Sequence, residues 1–318
     1  MKSLTKLVNK KKFKKVWIAG HRGLVGSAIL KLLKEKKYNL IYQTSSQLDL
    51  RNKNKVFNYI KKHKPDLIIL CAGRVGGILA NSTNPIDFYY DNVTIGNNVI
   101  MSAADLKIKN LIYFGSSCIY PNNLKRKIQE DDLLTGSLEK TNEAYSLAKI
   151  SCTKLCQSIS IIKKYRYISV MPCNVYGPND NFDISKSHVM AALVSKFYEA
   201  KVKNLKKVVV WGTGKPRREF IHSRDLAESI IFIINNPNKN LIINIGVGYD
   251  LSINSLAKKI ANVINFKGKI IFDNTKPDGT YQKLLNNNKI KSLGWKPKIN
   301  LDDGIKEMIN YYEKKYVN

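Results

Sequence analysis

From residue 13 onward, short apolar runs alternate with longer amphipathic stretches. Val16–Ala19 is apolar throughout and reads as a buried strand. Leu24–Lys37 then places Val25, Ile29, Leu32 and Leu33 at the spacing of one helical face. Leu40–Thr44 predicts a second strand, Val56–Lys62 a helix, and Pro65 the entry to a third strand over Leu67–Ala72. Asn92–Asp105 predicts a helix, Leu111–Gly115 a strand, Asn142–Tyr165 another helix and Tyr167–Met171 a fifth strand. Such alternation predicts the α/β class, with a Rossmann-type, doubly wound parallel sheet covered by helices on both faces. The polar stretch Tyr176–Ser187 breaks the rhythm, and helices then mix with short strands. The expected organisation is a dinucleotide-binding domain over residues 1–176, rejoined by about 219–247, and a smaller, mainly substrate-binding C-terminal domain over 177–318. No internal repeat or long low-complexity linker interrupts it.

Composition narrows the function classes. The 318 residues suffice for a substantial core, and 44% hydrophobic with 25% charged residues fits an ordinary globular protein. No apolar run approaches the roughly 20 residues that span a bilayer, so no membrane association is expected. Met1–Lys15 is lysine-rich, lacks an apolar segment and contains no arginine, unlike a secretory or mitochondrial signal. Five cysteines, at 71, 118, 152, 156 and 173, form no disulfide-like pattern, which points to reduced thiols in a cytoplasm. Cys152 and Cys156 are four apart on a predicted helix with no further ligands near, so no metal site is expected. The formal net charge is +30, yet only Lys10–Lys12 and Lys14–Lys15 form a dense run. Dispersed ammonium groups attract polyanions without reading bases. They favour nucleotide diphosphates over any specific nucleic acid.

The first predicted strand runs into Gly20-His21-Arg22-Gly23-Leu24-Val25-Gly26 and then a helix. G-x-x-G-x-x-G in a strand–turn–helix context is a dinucleotide-binding loop: glycines let backbone amides reach a pyrophosphate, and the helix N-terminus favours its charge. Gly20, Arg22, Gly23, Leu24, Val25 and Gly26 are the candidate cofactor residues. The second strand ends in Gln43-Thr44-Ser45-Ser46, without the acidic residue that commonly meets the ribose of NAD. With Arg22 in the loop, that absence favours a 2′-phosphate and hence NADP(H). Asp49 is a weaker candidate, for the adenine.

A second constellation follows. Ser116 lies at the end of the strand over Leu111–Gly115, where ligands bind in open α/β sheets. Tyr145 and Lys149 are four apart on one helical face. A neighbouring ammonium favours a phenolate and makes tyrosine a usable acid or base. His21 and His222 are expected to be structural.

On these residues the chain resembles the extended short-chain dehydrogenases/reductases and, within them, the GDP-L-fucose synthase family. The resemblance covers nearly the whole chain. Its carriers include the glycine loop, Val75-Gly76-Gly77-Ile78, Gly115 to Pro121 with Ser116-Ser117-Cys118, and Asn142 to Lys149. Further carriers are Met171 to Pro178, Ser187-His188-Val189, Val210-Trp211-Gly212, Arg218-Glu219-Phe220 and Lys276 to Thr280. It implies 3,5-epimerisation and NADPH-dependent 4-reduction of GDP-4-keto-6-deoxy-D-mannose. Tyr145 and Ser116 would stabilise an enolate oxygen, Cys118 and His188 would move protons on opposite faces, and Lys149 would hold the nicotinamide ribose. His188 is also expected near the cofactor. Asn174, Lys196, Trp211, Arg218, Asp278 and Lys283 match regions that hold the GDP-sugar, and a homodimer is implied. Two departures stand out: Lys196 follows Ser195 where the family often carries arginine, and the second strand lacks a second arginine. Other readings stay open: a C4 epimerase, a GDP-keto-heptose 4-reductase, or a non-catalytic nucleotide-sensing or RNA-binding module. A dehydratase is disfavoured by Ser-Ser-Cys in place of acidic partners.

Overall fold

A computed structural model describes residues 13–184, 187–236 and 239–316. The lysine run Lys10–Lys12 lies outside them. The first half runs β1 Lys15–Ala19, α1 Leu24–Glu35, β2 Asn39–Ile41, α2 Lys53–His63, β3 Leu67–Leu70, α3 Ile78–Thr83, α4 Pro85–Asp105, β4 Asn110–Phe114, α5 Glu143–Lys163, β5 Arg166–Pro172 and β6 Asn174–Tyr176. The second half runs α6 Val189–Val202, β7 Lys207–Trp211, β8 Arg217–Arg218, β9 Phe220–His222, α7 Ser223–Asn235, β10 Ile242–Ile245, β11 Leu251–Ser252, α8 Ile253–Ile264, β12 Lys269–Asp273, β13 Gln282–Lys283, α9 Asn288–Ser292 and α10 Leu301–Tyr316.

Six strands form one parallel sheet in the order β10-β5-β4-β3-β1-β2. Its central strands are buried at nearly every position because both faces are covered. Successive residues point to opposite faces, so one strand feeds two cores. Val16, Ile18, Ile69 and Ile112 meet α1 and α7 on one side. Trp17, Ile68, Leu70 and Tyr113 meet α2, α4 and α5 on the other. A third core gathers α6, β7, α8 and α10. The chain returns from that region through β9 and α7, and β10 pairs with β5 at Ile243↔Val170.

Three elements differ from the periodicity. Helix α4 begins at Pro85, seven residues before the expected Asn92, with Asn84 as its N-cap. Its first turns are amphipathic only weakly, Ile86 and Tyr90 being exposed, while Pro at the first helical position presets the backbone. The short α3 was not expected, since six residues are too few to show a period. The second strand is also shorter than Leu40–Thr44, because only Asn39–Ile41 finds a pairing partner, in β1.

Sheet order reverses between β1 and β3, and there the loops at the strands' C-terminal ends diverge. That opening is where an α/β sheet takes its ligand.

Candidate functional site

The loops after β1, β3, β4 and β5 line one cavity of about 1370 Å³. That exceeds the roughly 300–1,000 Å³ of a pocket for one small molecule. It has room for a dinucleotide and a second ligand side by side. α6, β7 and the segment 275–283 close its other wall.

The glycine loop occupies the β1 end. Gly20 has φ +93°, and a Cβ there would lie 2.5 Å from Ala72 N. Gly26 packs its helix onto the loop, since a Cβ would lie 2.1 Å from Gly20 O. Gly23 differs: a Cβ would meet no protein atom nearer than Gly20 O at 3.7 Å. Packing does not explain Gly23. Room for a ligand against the start of α1, which Gly23 caps without a side-chain acceptor, does. Gly20, Gly23, Leu24, Val25 and Gly26 all line the cavity; Arg22 does not, and it is exposed.

Asp49 also lines the cavity but is committed to Arg51, whose Nη2 stands 2.9 Å away. That hydrogen bond holds the Asp49 carboxyl below its ordinary value. Asp91 accepts from Arg51 at 3.4 Å and from Arg74 at 2.7 Å. Arg51 and Arg74 thus add fixed positive charge to this end, and neither stood out in the sequence because isolated arginines carry no pattern.

At the β4 end, Ser116 Oγ accepts from Cys118 N at 3.2 Å and shares a hydrogen bond with the Tyr145 phenol. Burial pushes Tyr145 above the usual tyrosine value, the Cys118 thiol adds to this, and the Ser116 bond opposes it. Lys149 donates from Nζ to Phe114 O at 2.8 Å, with Nζ 5.7 Å from the Tyr145 ring centroid. Burial brings its ammonium down to about 8. A lysine poised near neutrality beside a tyrosine is arranged for proton transfer.

Cys118 is the middle residue of a short 3-10 turn, Ser117–Ile119, which Ser116 caps. Its Sγ lies 3.7 Å from Asn142 Nδ2 and 3.7 Å from Lys283 Nζ. Asn142 is held in turn by Ser146, whose single hydroxyl proton is shared between Asn142 Oδ1 at 3.1 Å and Cys118 O at 3.0 Å. Asn142 was missed as a site residue although it stands three positions before Tyr145. His188 caps α6 from the opposite part of the chain. Its ring is open to the cavity yet surrounded by its walls, and that desolvation lowers the imidazole below its usual value.

Asn174, Lys196, Trp211, Arg218, Asp278 and Lys283 all line the same cavity. The Trp211 ring is 46% exposed and flanked by the Lys196 and Lys276 ammoniums at 5.3 and 5.7 Å from its centroid. Such a face suits stacking with a planar ring. Burial lowers Arg218, which hydrogen-bonds Arg217 O at 2.8 Å. Asp278 is engaged within the protein: its two oxygens accept from Thr213 N at 2.9 Å and Thr213 Oγ1 at 2.6 Å. His222, 2% exposed, caps α7 by accepting from Arg224 N. Cys152 and Cys156 are buried. Among the described residues, no group of three His, Cys, Asp or Glu side chains is placed to hold a metal, and no helix is long and apolar enough to cross a membrane.

Residues 16–246 match the family model described as NAD dependent epimerase/dehydratase family. GDP-L-fucose synthase 1 of Arabidopsis thaliana is 47% identical over 305 residues, covering 96% of this chain and 94% of the relative. Among solved structures, a GDP-6-OMe-4-keto-L-xylo-heptose reductase from C. jejuni aligns with TM-score 0.90 and 36% identity, covering 95% of this chain and 98% of that one. A GDP-L-fucose synthetase from Naegleria fowleri bound to NADP aligns with TM-score 0.87 and 29% identity, covering 95% and 93%.

Proposed function

The chain belongs to the NAD dependent epimerase/dehydratase family, and from that premise we propose that it is an NADPH-dependent GDP-4-keto-6-deoxy-D-mannose 3,5-epimerase/4-reductase that forms GDP-L-fucose. The observation that carries this is one cavity holding Ser116 and Tyr145 together with Cys118 and His188 from separate parts of the chain.

A ketone at C4 makes the protons on C3 and C5 removable once the enolate oxygen is stabilised. Tyr145 and Ser116 donate hydrogen bonds to that oxygen. Cys118 and His188 serve as the base and acid that invert each carbon, from the two faces of the ring. Tyr145 then protonates the C4 oxygen, with the Lys149 ammonium favouring the phenolate left behind. NADPH, when bound, supplies the hydride to C4. Gly23 and the start of α1 would hold its pyrophosphate and Lys149 its nicotinamide ribose, and Gln43-Thr44-Ser45-Ser46 at the β2 end carry no carboxylate to repel a 2′-phosphate. Trp211 takes the guanine face, while Lys196 and Arg218 suit the diphosphate. Asn174 is kept for the sugar.

Heptose reduction is the second reading, favoured by the likeness to the C. jejuni reductase. The higher identity to a fucose synthase, with Cys118 and His188 both in the cavity, favours epimerisation with reduction. Assembly as a homodimer through α4 and α5 fits the exposed Ile86, Tyr90, Leu147 and Ile162 on those helices. Free thiols and a nucleotide-sugar substrate suit the cytoplasm.

Solvent deuterium tests the proposal. Incubated with GDP-4-keto-6-deoxy-D-mannose in D2O without NADPH, the enzyme should introduce deuterium at C3 and C5, read by NMR. Enzyme that consumes NADPH but leaves both carbons protonated is a plain 4-reductase.

A further inference from the structure

The Cys118 sulfur stands between N–H groups from two distant segments. Asn142 precedes α5, while Lys283 lies on β13. Pairing of β13 with β8, Lys283 opposite Arg218, carries its ammonium into the cavity. Nζ then reaches 3.7 Å from Sγ. Arg218 adds its own electrostatic interaction with Cys118. Among the described residues, no carboxylate forms an ion pair with Lys283. A lysine kept for a diphosphate gains nothing from a thiol in this place; a thiol kept as a base gains a counter-ion.

We infer that Lys283 is a positioning residue for proton abstraction: its ammonium is the counter-ion of the Cys118 thiolate and aims the sulfur at the sugar. The role rests on the epimerase function proposed above. In the step, a thiolate lone pair takes the proton from the carbon next to the ketone. The C–H electron pair becomes the enolate double bond, and the ketone oxygen takes the negative charge under the Tyr145 and Ser116 hydrogen bonds. Cys118 ends as a neutral thiol, and Lys283 stays an ammonium throughout. A thiolate formed there meets an opposite charge and an amide N–H instead of bare cavity wall.

Alkylation of the full-length, unliganded protein tests this without substrate. Iodoacetamide is neutral, so Lys283 does not attract it, and peptide mass separates Cys118 from Cys71, which lines the same cavity. At pH 7, Lys283→Gln should slow Cys118 alkylation about tenfold, the loss of one charge-assisted hydrogen bond. Deuterium uptake at C3 and C5 should fall by a similar factor, while melting temperature and NADPH affinity hold. Lys283→Arg, which keeps the charge, should restore most of both rates. Should Lys283→Gln unfold, Lys283→Met, which keeps the aliphatic stem, carries the same comparison. Unchanged alkylation with only a raised KM for the GDP-sugar overturns the pairing and leaves Lys283 a ligand of the GDP-sugar. Absence of deuterium uptake in wild-type enzyme overturns instead the epimerase function.

Discussion

Replacing Gly23 by alanine adds one methyl group at the N-cap of α1, in a place where the protein leaves room for it. The nearest atom would be Gly20 O at 3.7 Å, an ordinary contact. The backbone, at φ −74° and ψ 169°, already suits alanine. Gly23→Ala should therefore leave the stability of the unliganded protein within about 1 kcal/mol of wild type, the lost freedom of the unfolded chain offsetting alanine's poorer fit to an N-cap. That corresponds to a change in Tm of no more than about 2 °C for a chain of this size. In the complex the same methyl stands where the pyrophosphate must approach the amides of α1. Loss of one charge-assisted hydrogen bond, about 1.5–3 kcal/mol, raises the NADPH Kd about tenfold to a hundredfold. Gly26→Ala is the contrast: its Cβ would lie 2.1 Å from Gly20 O, so the loop itself must shift and Tm should fall. Thermal unfolding without ligand and a titration of NADPH fluorescence read both effects. A Gly23→Ala protein with normal Tm and unchanged NADPH affinity would show that the phosphates lie elsewhere, and the dinucleotide role of this loop would be lost.

Tyr145→Phe should bind NADPH normally but slow ketone reduction by about a hundredfold or more in a stopped-flow trace of NADPH absorbance; near wild-type turnover would mean that another group is the acid. Lys149 makes two pH effects of opposite sign. Its ammonium is lost as pH rises through about 8, so kcat/KM for reduction should fall there. Between about 8 and the ordinary lysine value of 10.5 the unfolded chain binds more protons than the folded one, so this group's contribution to stability rises with pH. A rate profile flat to pH 10 would remove Lys149 from the step. For the cofactor, Arg22→Ala should weaken NADPH more than NADH if the loop arginine meets the 2′-phosphate. Selective weakening by Arg51→Ala instead, in paired titrations, would move that contact to Arg51, which lines the cavity.

Patterning along the chain determined the alternation of strands and helices, because unbroken apolar runs and apolar residues at a spacing near 3.6 have few other ways to be buried. Local chemistry marked Gly20 to Gly26, Ser116, Tyr145 and Lys149, since a phosphate loop and a helical Tyr–Lys pair are set by spacing within one or two elements. Family resemblance added Cys118 and His188, which no local pattern joins. Only the tertiary structure decided what each group faces. It turned Arg22 outward and brought Arg51 to the cavity, because a side chain's direction depends on the loop around it. It used both Asp278 oxygens on Thr213, 65 residues away in sequence, and tied Asp49 to Arg51. It started α4 at Pro85, where the first turn buries little and so leaves little periodic trace. It also set Lys283 against Cys118 across 165 residues of chain. That contact exists because β13 pairs with β8, and strand pairing between distant segments is a property of the packed whole that no window of sequence contains.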